Sequence, residues 1–175
     1  MNPDQKLKID RLISSLDCSD AIQCQKARRQ LVRMGNVAVP SLIAAASNGA
    51  LNRQLEAMRA LGAIGGSDAI EALITHFGDG DPGMRWAASD ALFKIGEQAL
   101  VPVLKALIAN GQSSPFREAV HHLLIDTATG SDPRGSILEP VIASLEEPEA
   151  DLAAPVAAKV ALDKLRAFRQ NSPVT

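Results

Sequence analysis

Apolar residues along this chain recur at three- and four-residue intervals, and one short phrase returns about every 31 residues. It reads KARRQLVRMG at 26–35, EAMRALGAIGG at 56–66 and AASDALFKIGE at 87–97. Each copy holds Ala, then Leu four residues on, an apolar residue at +7 and Gly at +8. The sets are Ala27/Leu31/Met34/Gly35, Ala57/Leu61/Ile64/Gly65 and Ala88/Leu92/Ile95/Gly96. Positions i, i+4 and i+7 share one face of a helix. A glycine just past the last of them suits a helix C-terminus that needs positive φ. The register persists in weaker form at Val120, Leu124, Thr127 and Ala128, and again at Ala158, Leu162 and Leu165, with Arg166 in the glycine's place. The leucine anchors fall at 31, 61, 92, 124 and 162, and the segment ATGSDPRGS (128–136) accounts for the longest step.

A second apolar helix is predicted between successive anchors, in VAVPSLIAAASN, SDAIEALITHFG, QALVPVLKALIAN and GSILEPVIASLEE. Pro40, Pro102 and Pro140 stand near three of these starts and are expected in first turns, where a missing N–H has no partner to lose. Each unit is then a helical hairpin of about 31 residues, too small to bury its apolar faces alone, so neighbours must stack. The predicted fold is all-α: a right-handed α-solenoid of about ten helices, capped at both ends, occupying 1–170 as a single domain. Residues 1–17 form an N-terminal capping helix, 18–148 four hairpins, 149–170 a C-terminal capping helix and 171–175 a loose tail. Both end helices are expected to turn a polar face outward, as terminal repeats require for solubility. With Met1 present, the chain reads as a complete, self-capped unit.

The phrase DPGMRWAASDALFKIG (81–96) resembles the short HEAT-like repeat of the phycobilin-lyase type, in which Asp-Pro-x-x-Arg opens the first helix and Ala-Leu-x-x-Ile-Gly closes it. The resemblance extends over roughly 20–165, is best in the repeats beginning near 50 and 81, and is poor in the fourth, which lacks Ile-Gly. It implies a HEAT-like solenoid. In such repeats the Asp and Arg, here Asp81 and Arg85, are usually structural, the Asp capping the helix and the Arg tying neighbouring turns. Arg117 occupies the slot of Arg85 one repeat later.

Composition narrows the function. With 28 Ala and 20 Leu against 4 Phe, 1 Trp and no Tyr, and a net charge of −2, neither a disordered chain nor a β-sandwich fits. No apolar stretch is long enough to span a membrane. The N-terminus lacks a signal core, which places the protein in the cytoplasm, where Cys18 and Cys24 are expected to stay reduced. The histidines, His76, His121 and His122, show no His-Glu-x-x-His spacing, and the paired His-Glu motifs of the related HEAT-repeat enzyme deoxyhypusine hydroxylase are missing. His121 and His122 are expected at the surface or between helices. No nucleophile elbow, phosphate loop or metal-ligand cluster stands out, so the expectation is a non-enzyme with no cofactor and no metal. Trp86 lies off the Ala/Leu stripe and is expected to pack at a repeat junction rather than anchor a ligand.

Charge is uneven. Residues 1–59 carry +4, 60–153 carry −9 and 154–175 carry +3. Lys26, Arg29 and Arg33 share a face of the first repeat, with Arg28 beside them and Arg59 in the slot of Arg29 one repeat on. Such a cluster would steer an acidic partner, against the plainer reading of a solvated face. The acidic middle interrupts the continuous basic stripe that nucleic acid would want. Second helices usually line the inner face of such stacks, and Glu71, Thr75 and Lys105 are the candidates there, in a groove shallow enough to favour a protein over a small ligand. Asp132 and Arg134, on the long connection, complete the candidate set. The leading function is a monomeric protein-interaction scaffold or adaptor, using the concave helix face or the basic N-terminal end. The alternative, implied by the resemblance alone, is an accessory subunit of bilin attachment or detachment.

Overall fold

The repeated glycine ends the first helix of each hairpin as the register requires. Gly35, Gly65 and Gly96 have φ of 62°, 73° and 75° with ψ of −142°, −160° and −138°, a region that any Cβ would make strained. The chain turns at these points, and the next helix begins within four residues.

The computed structural model describes residues 2–17, 19–129 and 134–171. Among the described residues there are ten α-helices and no strand. They are α1 (Pro3–Ser14), α2 (Ala21–Met34), α3 (Val39–Ser47), α4 (Leu51–Ile64), α5 (Ser67–Thr75), α6 (Pro82–Ile95), α7 (Glu97–Asn110), α8 (Ser114–Ala128), α9 (Gly135–Leu145) and α10 (Ala150–Asn171). Short 3₁₀ turns follow α2 (Gly35–Val37) and α5 (His76–Gly78). The fold class is the all-α hairpin architecture of α-solenoids.

Packing divides the chain into two compact units, Met1–Leu73 with Asp90–Ile95, and Ile74–Ser89 with Gly96–Thr175. In the first, α1 packs on α2, α3 and α4, and α4 packs on α2 and α3. Its core holds Ile9, Leu16, Leu31, Leu42, Met58, Leu61 and Leu92, all fully buried. Gly62 lets α4 approach Asp90–Ile95 closely, because a Cβ there would stand 2.8 Å from the Cα, Cβ and carbonyl oxygen of Ala91. In the second unit, α10 packs on α7 and α9 while α8 packs on α7 and α9. Phe77 and Phe116 meet edge to face there, with centroids 5.4 Å apart. Every Ala/Leu anchor of the repeat is buried: Ala27, Leu31, Ala57, Leu61, Ala88, Leu92, Val120, Leu124, Ala158 and Leu162.

Four expectations are corrected. Pro102 and Pro140 lie inside α7 and α9, not in their first turns, because those helices start at Glu97 and Gly135. Each proline removes the bond to the carbonyl four residues back, a cost of about 3 kcal/mol or more in a helix interior that the buried faces of α7 and α9 offset. Trp86 is 55 % exposed, not packed away, and tilts over His122 with ring centroids 6.4 Å apart. Cys24 is disulfide-bonded, not reduced, and Cys18 lies outside the described residues. α10 does not turn a wholly polar face outward, since Leu152, Val156 and Val160 are exposed.

Candidate interaction surface

Asp20 fixes where α2 begins. Its side chain accepts the Ile22 N–H at 2.8 Å, an N-cap that starts the helix at Ala21. Two turns further along, Arg28 leans toward α4, where Glu56 is buried to 6 % exposure. The Arg28 Nη1 donates to Glu56 Oε2 at 2.6 Å. The other carboxylate oxygen, Oε1, accepts from Arg59 one turn further along α4. One buried acid is thus shared by two arginines from two helices, Arg28 about three-quarters buried and Arg59 about half exposed. A buried carboxylate has to be paired to remain charged, and this one is paired twice.

This triad floors an open cleft of about 610 Å³ between α2 and α4. Ile22 stands on its wall, 62 % exposed. Gln25 and Asn52 add amides, and the Asn52 Nδ2 also donates to the Leu16 carbonyl at 3.3 Å. With Glu56 counted against Arg28 and Arg59, the cleft keeps one net positive charge, and Lys26, Arg29 and Arg33 are exposed along α2. Two guanidinium groups held by a fixed acid are pre-oriented donors for a further carboxylate or phosphate. The exposed isoleucine offers an apolar anchor beside them.

Of the candidates named from sequence, only Arg59 lines this cleft. Glu71 is exposed on α5, outside it. Thr75 and Lys105 are exposed in the second unit. Arg134 precedes α9 and is held by Glu97 at 2.7 Å, its side chain only 18 % exposed, so it is tied to α7 rather than presented. Asp132 lies outside the described residues. Sequence reasoning missed Glu56 and Ile22 as members of the site and gave Arg28 a neighbour's role. The available signal was that Glu56 is the only glutamate before residue 71, in a segment otherwise rich in Lys and Arg.

Asp81 and Arg85 have the structural roles expected of them. Asp81 accepts the Gly83 N–H at 2.7 Å at the start of α6. Arg85 is buried, donates to the Asp79 carbonyl at 3.0 Å and pairs with Glu118 of α8 at 2.8 Å. Arg117 repeats the gesture one hairpin on, donating to the Gly111 carbonyl, again six residues back, at 2.6 Å. His121 lies between helices and reaches Glu146 at 3.1 Å. His76, in the 3₁₀ turn after α5, is buried. Desolvation lowers its pKa below the ordinary histidine value, and the neighbouring Asp79 carboxylate partly opposes that shift.

The family model for HEAT repeats matches residues 39–125, from the start of α3 into α8. That span contains the Ala57/Leu61, Ala88/Leu92 and Val120/Leu124 anchors. No curated protein matches the chain. No helix among the described residues is long and apolar enough to cross a membrane.

Proposed function

We propose that this chain, whose residues 39–125 match the HEAT-repeat family, works as a protein-interaction adaptor whose N-terminal arginine cleft takes an acidic segment of its partner. Repeat solenoids commonly act through extended binding surfaces of this kind. The observation that carries the proposal is the Arg28–Glu56–Arg59 arrangement beneath an open cleft with Ile22 exposed at its wall. A polar, open trough suits an extended peptide better than an enclosed small molecule. The partner's acidic side chain would bond the outward N–H groups of Arg59 and Arg28, and an adjacent aliphatic residue would cover Ile22. The chain contributes no catalytic step of its own in this reading.

The test compares what the wild-type chain and two variants, Arg59→Gln and Ile22→Ser, capture from the native host. Both positions are half exposed or more, so the fold should tolerate the changes. The expected result is a partner that elutes as salt rises and that both variants retain poorly. A partner held equally by all three, with unchanged salt dependence, would remove the cleft from the explanation.

A second reading, an accessory subunit of bilin attachment or detachment, draws on the resemblance of 81–96 to the lyase-type repeat. Mixing the pure protein with a bilin and recording the visible spectrum separates the two. A saturable band shift would favour the bilin reading, and an unchanged spectrum the adaptor.

A further inference from the structure

α10 has two opposed apolar sides. One, made of Ala154, Ala158, Ala161, Leu162 and Leu165, is buried against α7 and α9. On the other, Leu152, Val156 and Val160 recur every fourth residue and remain 61 %, 66 % and 51 % exposed. At 100° per residue these three fall within about 80° of arc, diametrically across from the buried set. Ala153 and Ala157 widen the stripe toward Pro140 of α9, and together they line an open trough of about 500 Å³. Scattered exposed valines are ordinary, but a contiguous apolar stripe marks a docking face.

The charges around the stripe say what covers it. Glu147 and Glu149 stand at its N-terminal end, both exposed and both lining the trough. Lys159, Lys164 and Arg166 flank its C-terminal half, all exposed. Asp163, the acid among them, is paired with Arg166 at 3.3 Å. The face is therefore acidic at one end, apolar in the middle and basic at the other. Such a pattern is complementary to its own reverse. A two-fold axis through Val156 lays Leu152, four residues before it, on Val160 of the partner subunit, four residues after it. The same axis brings Glu149, seven residues before, opposite Asp163 and Lys164 of the partner subunit, seven and eight residues after; Asp163 is already paired with Arg166, which leaves Lys164 to meet Glu149. A parallel pairing would instead set acid on acid and base on base.

We propose that a second copy of this chain covers the stripe, so that α10 forms an isologous, antiparallel homodimer interface. This goes beyond the adaptor reading, departs from the monomer expected from sequence, and uses none of the residues of the arginine cleft. A dimer would give the adaptor two copies of that cleft.

Sedimentation equilibrium of the full chain, from low to several hundred micromolar, tests it. The wild type is expected to reach twice the 18.5 kDa monomer mass at the upper end. Val156→Asp should be monomeric throughout, with an unchanged helical spectrum and melting temperature because the position is exposed. Glu149→Lys and Lys164→Glu should each weaken the dimer about tenfold, since the contact occurs twice per dimer. The double variant Glu149→Lys/Lys164→Glu should restore it, which a merely structural role for either residue would not do. A wild type that stays monomeric assigns the stripe to a different occupant and overturns the proposal. A Val156→Asp chain that still dimerises, or a double variant no tighter than the single ones, overturns it equally.

Discussion

Gly62→Ala sets helix propensity against packing, and the two predict opposite signs. Gly62 lies in the interior of α4, where alanine is favoured over glycine by about 0.8–1.0 kcal/mol. On that ground alone the substitution would stabilise. The added Cβ, however, would stand 2.8 Å from three atoms of Ala91, two of them backbone, so no flexible side chain can swing away. Overpacking of this kind costs about 1–3 kcal/mol, occasionally more, and backbone-on-backbone contact places it at the upper end. The net expectation is a destabilisation of about 1–2 kcal/mol. For a domain of this size that lowers the melting temperature by roughly 2–8 °C. Paired thermal and urea melts of the wild type and Gly62→Ala measure it, with the exposed neighbour Ala63→Gly as control, expected to lose about 1 kcal/mol through propensity alone. A Gly62→Ala chain that melts above the wild type would refute the close approach of α4 to Ala91.

Two further substitutions probe polar groups. Glu56→Gln leaves Arg28 and Arg59 sharing a neutral amide, and should cost about 1–3 kcal/mol, more at low salt than at high salt because the two guanidinium groups then repel unscreened. Urea melts at two salt concentrations check it, and a loss independent of salt would mean the carboxylate's charge is unimportant. His76 is held neutral by burial, so its folded-state pKa lies below the unfolded value near 6.5. The stability it contributes is present above that pH and is lost as pH falls through it toward the folded value. His76→Gln should therefore flatten the fall in stability below neutral pH, and denaturant melts across that range that stay parallel for the two chains would contradict it.

The hairpins were legible in the sequence because their cause is local. Ala57, Leu61 and Gly65 announce a helix face and its end within nine residues, and the structure buries the first two and gives the third positive φ. Errors arose where position depends on something outside the segment. Pro102 looked like a helix start, but Gly96 sets the start and leaves the proline as the sixth residue of α7. Glu56 gave no local sign of burial, because the arginine that meets it from α2 lies 28 residues earlier. The α10 stripe was hidden for a related reason. Leu152, Val156, Leu162 and Leu165 all read as apolar, and only packing on α7 and α9 decides which of them are covered. The repeat register places Arg59 beside the cleft, while the tie of Arg134 to Glu97, which spans 37 residues, has no local sign in the sequence.

The most direct measurement of the adaptor claim is a fluorescence-anisotropy titration of a labelled acidic peptide carrying one aliphatic residue against the full chain, repeated with Arg59→Gln and at raised salt. Saturable binding that weakens in the variant and weakens again with salt is the predicted result. Equal binding by wild type and Arg59→Gln, or no binding to the wild type at low salt, would contradict the claim that the arginine cleft is where this protein meets its partner.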